Sequence, residues 1–334
     1  MNQPFSARRL LFPLVPLYQL ALAFREFRLR CGLVPVRRLR FPVVSIGNLS
    51  TGGSGKTPLT IALARALAER GLCVDVLSRG YGRQSRLAAR VRENGAAENY
   101  GDEPLLIARE TGLPVYVAPQ RYNAGLLAEA DAEQEAGHNH QPIVHLLDDG
   151  FQHRQLARAV DILLLDRGDW LDTLLPAGNL REPLSAIRRA SVIAIPDNDP
   201  ELASELQDWG WKGPIWRLRR TMEIPSVSGP AAAFCGIARP EQFFAGLKAA
   251  GLHLATRVAF PDHHRYTARD LDGLAAAARA AGATAFVTTE KDLLRLGKLA
   301  TTFPQSLPLK TARLHIEIED QKVTIDWLIN RLGS

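Results

Sequence analysis

Cysteine is scarce in this sequence, and so are long uninterrupted hydrophobic runs. The 334 residues include three cysteines, Cys31, Cys73 and Cys235, which lie far apart and form no Cys-x-x-Cys pair. This spacing excludes a disulfide framework and a cysteine-based zinc site, and it favours a reducing compartment. The sequence also lacks internal repeats and low-complexity stretches. With 46% hydrophobic and 23% charged residues, its composition is that of an ordinary globular protein rather than a disordered one.

Lysine is absent from the first 40 residues, and acidic residues are almost absent. This segment has eight arginines and one acid, Glu26, so its formal charge is +7, whereas that of the whole chain is +6. The remaining residues therefore carry −1. Because the positive charge belongs to a short head and not to a groove or helix face of the body, it argues against a nucleic-acid-binding protein.

The same basic head contains an almost uncharged run, Leu10 to Phe24. The run has only 15 residues and two prolines, whereas a membrane-spanning helix needs about 20 residues. Arg8 and Arg9 before the run would suit a signal peptide, but no small-x-small cleavage site follows. Arginines on both flanks favour a helix in the interface of an anionic membrane, which makes residues 1–40 a membrane-interface segment. A core helix with a basic solvated face is the alternative.

Short apolar, β-branched runs then alternate with helical patterns. This alternation predicts an α/β fold, a P-loop NTPase-like parallel sheet sandwiched by helices, over residues 41–207. The predicted strands are Val43–Ile46, Val74–Leu77, Ile143–Leu147, Val160–Leu165 and Val192–Ile195. The predicted helices between them include Leu59–Arg70 and Leu105–Thr111.

The composition changes at residues 208–230, where Trp, Gly and Pro surround the alternating, strand-like Ile215–Met222. This change favours a linker built partly from a β-ribbon. A second, smaller α/β domain is predicted over 231–320, and Thr267 with Asp270 forms a capping-box start for one of its helices. Its elements are predicted as strand Ala231–Cys235, helix Pro240–Ala250, strand Ala255–Phe260, helix Ala268–Ala281 and strand Ala285–Thr289. An amphipathic C-terminal helix is predicted over 321–334.

A glycine-rich loop follows the first predicted strand and precedes the first predicted helix. Its sequence, GNLSTGGSGKTP, occupies Gly47–Pro58 and differs from the strict P-loop pattern at Ser50, where a glycine would stand. Backbone N–H groups of such a loop converge on phosphate oxygens, which the positive end of the next helix also faces. Lys56 is expected to reach the β- and γ-phosphates, and Thr57 to ligate Mg²⁺. The alternative is a tight glycine turn. The predicted nucleotide-binding residues are Ser50, Thr51, Gly52, Gly53, Ser54, Gly55, Lys56 and Thr57.

Two adjacent acids, Asp148 and Asp149, stand at the C-terminal end of the predicted strand Ile143–Leu147. Open α/β sheets bind ligands at the C-terminal ends of their strands. P-loop enzymes hold Mg²⁺ with an acid there, directly or through water. We therefore predict that both acids belong to a magnesium site beside a bound nucleotide. A turn or helix-cap role is the alternative.

Seven ordered motifs, spread over roughly residues 10–295, resemble those of the tetraacyldisaccharide 4'-kinases of lipid A synthesis. They are GNLSTGGSGKTP, SRGYGR, GDEP, LLDDGFQH, AGNLREP, FPDHHRYT and TTEKD. The resemblance implies ATP- and Mg²⁺-dependent phosphorylation of the 4'-hydroxyl of a tetraacylated glucosamine disaccharide 1-phosphate. It also implies a peripheral enzyme on the cytoplasmic face of a bacterial inner membrane. No obligate protein partner is evident.

The same resemblance implies a catalytic pair formed by Asp102, in GDEP, and His263, the first histidine of DHH. A sugar hydroxyl loses its proton as it attacks the γ-phosphoryl group, and a carboxylate within hydrogen-bond reach can accept that proton. Asp102 is therefore expected to be the base, and His263 to assist it. The pair would form across the two predicted domains, so catalysis would require closure. A helix N-cap and a loop hydrogen-bonding residue are the respective alternatives.

An acceptor that carries a phosphate favours arginine near its headgroup. The candidates are Arg79, Arg121 and Arg181, with Asn179 adding a hydrogen bond; each arginine could instead be an ordinary surface residue. Residues 290–292 could contact the nucleotide or the first domain, or cap a helix. Apolar side chains of the head are expected to contact acyl chains or the bilayer, namely Phe12, Leu14, Leu17, Leu20, Phe24 and Phe27.

Two other functions fit parts of the pattern. A membrane-recruited P-loop ATPase switch of the partitioning type would carry a lysine at the position of Thr51 and would have no use for the GDEP and DHH elements. A soluble P-loop kinase or ligase of a small metabolite would leave the N-terminal segment as part of the core.

Overall fold

The computed structural model describes residues 7–136 and 143–333. Residues 1–6 of the predicted membrane-interface segment lie outside the described part of the chain. So do residues 137–142 of the predicted P-loop domain and residue 334 of the predicted C-terminal helix.

The described chain alternates strands and helices over almost its whole length. The strands are β1 (Val43–Asn48), β2 (Cys73–Ser78), β3 (Ala89–Arg90), β4 (Val115–Val117), β5 (Ile143–Asp148), β6 (Val160–Leu164), β7 (Val192–Pro196), β8 (Ile215–Glu223), β9 (Ala231–Cys235), β10 (Leu254–Ala259), β11 (Ala285–Thr289) and β12 (Leu309–Ile318). The α-helices are α1 (Val15–Arg30), α2 (Lys56–Glu69), α3 (Ala97–Tyr100), α4 (Asp102–Thr111), α5 (Arg121–Ala136), α6 (Arg167–Trp170), α7 (Pro200–Asp208), α8 (Pro240–Ala249), α9 (Ala268–Ala280), α10 (Glu290–Leu296) and α11 (Gln321–Leu332). Three 3₁₀ segments cover Ala7–Leu14, Leu184–Arg189 and Gly297–Thr302.

The twelve strands form one sheet in the order β10-β9-β11-β12-β8-β7-β6-β1-β5-β2-β4-β3. Its pairs are parallel except for β12 with β8 and β3 with β4, which are antiparallel. Helices cover the sheet, so β1 and β5 are buried along their whole length, as central parallel strands are. The predicted α/β fold is confirmed.

The extended segment expected within residues 208–230 is β8, and it is part of the sheet. β8 pairs in parallel with β7 and antiparallel with β12. Hydrogen bonds between strands therefore run without a break from the first half of the chain into the second half. Helix α11 also packs with the first half of the chain, because Ile325 and Leu328 are buried in the same cluster as residues of β1 and α2. The limits of the domains stay predictions.

The N-terminal helix is longer than its uncharged run suggested. The 3₁₀ segment leads directly into α1, and a proline stands in the first turn of α1, where its missing N–H has no intrahelical partner to lose. Residues Leu10–Arg30 are the one described helix long and apolar enough to cross a membrane, by length and composition only. Almost none of it is buried, which disfavours the core-helix alternative.

Candidate active site

The glycine-rich loop carries the chain from β1 into α2. Gly55, with φ of 91°, immediately precedes Lys56, the first residue of α2. A side chain at this position would be strained by that φ, and its Cβ would come within 2.9 Å of the Arg220 guanidinium. Arg220, on β8, donates to the Ser54 carbonyl. Strand β8 thus supports the loop through Arg220, while the N-terminal end of α2 remains accessible.

That end of α2 faces a cavity of about 350 Å³ at the carboxyl ends of the central strands. Both halves of the chain form its walls. The lining residues are Thr51, Gly52, Gly53, Ser54, Gly55, Lys56, Thr57, Pro58, Ser78, Arg79, Tyr81, Glu103, Asp148, Asp149, Arg181, Ile237, Ala238, Asp262, His263 and Lys291. A second cavity, of about 500 Å³, lies beside Phe41 and Asp75, and none of the predicted site residues is among the described residues that line it.

Most of the predicted site residues therefore meet in one place. Within the described chain, the predicted residues that do not line this cavity are Ser50, Asp102, Arg121 and Asn179. Ser50 is buried behind the loop, where its hydroxyl accepts a hydrogen bond of 3.0 Å from Asn48.

The amide of Asn48 organises the base of the loop, and sequence reasoning missed it. Its Oδ1 accepts hydrogen bonds from Lys56 Nζ at 2.9 Å and from Arg181 Nη2 at 2.6 Å. Asn48 is the last residue of the buried strand β1. The signal available in the sequence was a polar residue at the end of a buried strand, where the glycine-rich loop begins.

The adjacent acids differ in their surroundings. Asp149 accepts hydrogen bonds from Arg181 at 2.9 and 3.2 Å, and its Oδ1 lies 3.6 Å from Lys56 Nζ. Burial raises the pKa of Asp149, but the charges of Lys56 and Arg181 outweigh burial and hold this pKa well below its usual range. Asp149 is therefore a carboxylate that already has cationic partners.

Asp148 is fully buried, and no cationic side chain of the described residues forms an ion pair with it. Its Oδ1 accepts a hydrogen bond of 3.2 Å from Thr60, and its Oδ2 has no hydrogen-bond partner among the described residues. Burial, together with the nearby carboxylates of Glu103 and Asp149, raises the pKa of Asp148 to about 7. An unpartnered buried carboxylate oxygen is costly, and a cation would remove that cost. With the hydroxyl of Thr57 from the loop, this oxygen fits a Mg²⁺ ion that keeps water and phosphate oxygens as its other ligands.

The predicted pair forms. Asp102 Oδ2 lies 3.3 Å from His263 Nδ1. The N-cap position of α4 belongs to Gly101, and Asp102 is the first helical residue, so the N-cap alternative does not hold. His263 adopts a positive φ of 58° in the loop after β10, and its ring lies 5.0 Å from that of Tyr81. The imidazole lines the cavity, and the buried Asp102 stands behind it.

The surrounding charges and hydrogen bonds favour an ionised Asp102 and a protonated His263. Burial raises the pKa of Asp102, but the hydrogen bond with His263 and the charges of Arg295 and Lys291 lower it well below its usual range. The hydrogen bond with Asp102 raises the pKa of His263 above its usual value. Asp102 is thus an anion at neutral pH, and a proton added to the pair resides on the imidazole.

Two of the other candidate residues lie away from the cavity wall. Arg121 is buried, and its Nε has no hydrogen-bond partner among the described residues; burial lowers its pKa to about 10. Asn179 donates from its amide to Asp172 at 2.8 Å and accepts from Arg8 at 2.8 Å. Its carbonyl accepts from the backbone N of Thr51 at 2.8 Å, so Asn179 links the glycine-rich loop to the N-terminal segment.

The profile of the family described as tetraacyldisaccharide-1-P 4'-kinase, LpxK, matches residues 7–333. The chain belongs to this family. Its members are kinases of lipid A biosynthesis, and the predicted kinase activity and family are confirmed.

Named members of the tetraacyldisaccharide 4'-kinase family align with most of the chain. That of Koribacter versatilis is 39% identical, over 95% of this chain and 97% of the relative. That of Anaeromyxobacter dehalogenans is 40% identical, over 84% of this chain and 79% of the relative. A crystal structure of LpxK from Aquifex aeolicus, described as an apo form in complex with ATP, has a TM-score of 0.73 and 32% identity. It covers 98% of this chain, which covers 99% of it.

In this member of the family, the N-terminal helix contacts the same loop that reaches the cavity. Arg25 of α1 forms an ion pair with the buried Glu182. Tyr18, also on α1, donates to the carbonyl of Arg181 at 3.0 Å. The side chain of Arg181 in turn holds Asp149. The predicted membrane segment is therefore connected to the site by two residues of one loop.

Residues 290–292 serve different purposes. Lys291 Nζ donates to Glu103 at 2.5 Å and so joins α10 to α4. Asp292 lies inside its own half, where it accepts hydrogen bonds from the backbone N of Gly236 at 3.0 Å and from Tyr266 at 2.9 Å. Glu290 lies 3.6 Å from Arg313.

Proposed function

We propose that this kinase transfers the γ-phosphoryl group of ATP to the 4'-hydroxyl of a tetraacylated glucosamine disaccharide 1-phosphate. The observation that carries the proposal is the convergence of Lys56, Asp148 and His263 on one cavity. A phosphate-holding cation, a carboxylate with a free oxygen and a proton acceptor are the groups that phosphoryl transfer to an alcohol needs. The activity named for the relatives supports the acceptor.

In this proposal, the backbone of residues 51–57 and the N-terminal end of α2 hold the phosphates. Lys56, which Asn48 and Asp149 orient, contacts the β- and γ-phosphates. Asp148, with Thr57, holds Mg²⁺, and Asp149 completes the site by orienting Lys56 and Arg181. When bound, Mg²⁺ neutralises charge on the phosphate oxygens.

The Asp102–His263 pair accepts the hydroxyl proton. The sequence-based expectation has Asp102 as the base with His263 assisting. We propose that the two act as one base, because the imidazole forms the cavity wall and the carboxylate stands behind it. Uptake of the proton converts an imidazole–carboxylate pair into an imidazolium–carboxylate pair, which Asp102 stabilises.

The acceptor headgroup is anionic, and we propose that Arg79 and Arg181 contact it, since both line the cavity. Arg121 supports them from the buried side. Asn179 holds the loop that carries Arg181 through its contacts with Asp172 and Thr51.

We also propose that α1 lies on an anionic membrane, at the cytoplasmic face of the inner membrane. Its apolar side chains Leu17, Leu20 and Phe24 are exposed, and arginines stand in its last turn. Such a helix binds an interface through apolar burial and charge. Because Tyr18 and Arg25 attach α1 to the catalytic body, a peripheral arrangement keeps the site beside an insoluble lipid.

Detergent-solubilised lipid acceptor and γ-labelled ATP test the transfer. We expect the label in the lipid, and none in an acceptor that lacks the 4'-hydroxyl. Lipid-stimulated ATP hydrolysis without labelled lipid would favour the partitioning-type switch. Labelling of a soluble deacylated disaccharide at the same rate would favour a small-metabolite kinase.

Sedimentation with anionic vesicles tests the membrane arrangement. The double substitution Leu17→Glu and Leu20→Glu should release the protein from the vesicles. Val323→Glu, which replaces one exposed apolar side chain of α11 by a glutamate, is the control for each single change and should sediment as the unchanged protein does. Undiminished sedimentation of the double variant would refute a role for α1.

A further inference from the structure

Arg295 is a buried cation behind the catalytic pair, and no motif of the sequence contains it. Its side chain is only 7% exposed. It lies on α10, one helical turn after Lys291, so the two cations share one face of that helix. This face meets the first turn of α4, where Lys291 pairs with Glu103 and Arg295 pairs with Asp102.

The guanidinium of Arg295 is bonded on all its edges. Its Nε donates to Asp102 Oδ2 at 2.8 Å, and its Nη2 donates to the same oxygen. Its Nη1 donates to the Gly236 carbonyl at 2.5 Å and to Asp292 Oδ1 at 3.1 Å. The Nη2 atom also lies 3.3 Å from His263 Nδ1. The fork geometry of arginine suits this arrangement, which a lysine could not reproduce.

These contacts set the position of the carboxylate. Asp102 Oδ2 is fixed by Arg295 from one side, while Oδ1 accepts from the backbone N of Glu103 at 3.0 Å. The carboxylate belongs to α4 and the imidazole to the loop after β10, so nothing local in the chain sets their separation. Arg295 touches both groups and also the backbone of Gly236, whose carbonyl accepts from the backbone N of His263 at 3.1 Å.

We propose that Arg295 is a positioning residue for the proton-accepting pair: it fixes Asp102 against His263 and keeps Asp102 an anion, so that the transferred proton resides on the imidazole. This inference rests on the proposed role of the pair.

The charges around the pair give the direction of the effect. Asp102 faces Arg295 and Lys291 of α10 and the imidazole itself. His263 faces Asp102, Arg295, the Tyr81 ring and Asp262, whose Oδ2 lies 3.9 Å from Nε2. Removing the charge of Arg295 leaves Asp102 less neutralised, and the pair then binds a proton more tightly. More of the enzyme is protonated at neutral pH, and its capacity to accept the substrate proton falls.

The experiment compares Arg295→Gln, Arg295→Lys and the unchanged enzyme in the labelled-lipid assay as a function of pH. We expect Arg295→Gln to lower kcat about 100-fold and to move the acidic limb of the pH profile upward by about one pH unit. The KM for ATP should not change. Arg295→Lys should restore the position of the limb, because the charge returns, but only part of kcat, because the fork is lost.

Arg313→Gln is the matched control, since Arg313 is an exposed arginine that contacts α10 through Glu290; it should leave the profile unchanged. A lower kcat in Arg295→Gln with an unmoved limb would mean a purely structural role and would overturn the proposal. If Arg295→Gln does not fold, Arg295→Lys decides, and its wild-type kcat would overturn the proposal too. Wild-type kcat in Asp102→Asn and His263→Asn would instead remove the pair itself.

Discussion

Two histidine–aspartate pairs occupy different regions of the sheet, and they differ mainly in access. His263 and Asp102 meet at the carboxyl edge, with Nδ1 3.3 Å from the carboxylate and the imidazole 34% exposed. His145, in the middle of β5, lies with Nδ1 2.8 Å from Asp75 of β2, and it is fully buried. Its Nε2 lies 3.5 Å from Glu129.

Both pairs join an imidazole to a carboxylate, but the two pairs have different roles in the protein. Burial alone would lower the pKa of His145, yet the carboxylates of Asp75 and Glu129 raise it to about 9. The His145 side chain is fully buried and lines neither of the two cavities described above, so its ring does not meet a substrate. The comparison teaches that a histidine–carboxylate pair becomes a proton acceptor only where one nitrogen reaches a cavity, and is otherwise part of the packing.

The largest expected effect is on kcat, and it distinguishes the Asp102–His263 pair from the Asp75–His145 pair. Asp102→Asn should lower kcat about 1,000-fold, because the imidazolium formed during transfer loses its stabilising anion. ATP affinity should stay intact, since the phosphate loop is not changed. The labelled-lipid assay and a nucleotide titration measure the two quantities. Turnover close to that of the unchanged enzyme would remove Asp102 from the mechanism.

The counterpart substitution, Asp75→Asn, should act on stability instead. It leaves a buried imidazolium with one distant partner, and we expect the free energy of unfolding to fall by about 3 kcal/mol. The kcat of the folded fraction should be that of the unchanged enzyme. Urea unfolding and active-site titration provide the measurements. A kcat loss as large as that of Asp102→Asn would abolish the distinction between the two pairs.

The pH dependence of stability sharpens the comparison. The folded-state pKa of His145 lies above its usual value of 6.5, so its contribution to stability is complete below that pH and is lost as pH rises to about 9. Relative to His145→Asn, the unchanged protein should lose about 3 kcal/mol of unfolding free energy between about pH 6 and pH 10. Equal losses in both proteins would contradict the assignment.

The pH dependence of activity is the smallest expected effect. The pKa of His263 is raised, and the neutral imidazole is the form that accepts a proton. Consequently kcat/KM should fall about tenfold per pH unit below that raised pKa. His263→Asn should lack this limb. A limb of the same position and slope in His263→Asn would assign it to another group.

Local pattern predicted the path of the glycine-rich loop well. Strand, glycine turn and helix are adjacent in the chain, and the left-handed backbone at Gly55 follows from that sequence. The pairing of Asp102 with His263 came from a family resemblance, since residue type and spacing do not report a contact across more than a hundred residues. The same holds for Arg295, which lies 193 residues from Asp102.

The order of the strands in the sheet was the other feature that local sequence pattern could not predict. Asp75 and His145 each stand inside a run that predicts a buried strand. They meet because β2 and β5 are neighbours with these residues opposite in register. In the same way, β8 has the alternation of a ribbon, and only its partners, β7 and β12, make it an inner strand of the sheet.

Gly47, the first residue of the phosphate-loop motif, lies far enough back in β1 that it lines no part of the described cavity. A Cβ at this position would come within 2.5 Å of the Phe151 Cβ, on the turn that follows Asp148 and Asp149. The absence of a side chain at Gly47 therefore lets the glycine-rich loop lie close to the turn that follows Asp148 and Asp149. The substitution Gly47→Ala would push the glycine-rich loop and this turn away from each other without altering a charged or polar side chain of the cavity.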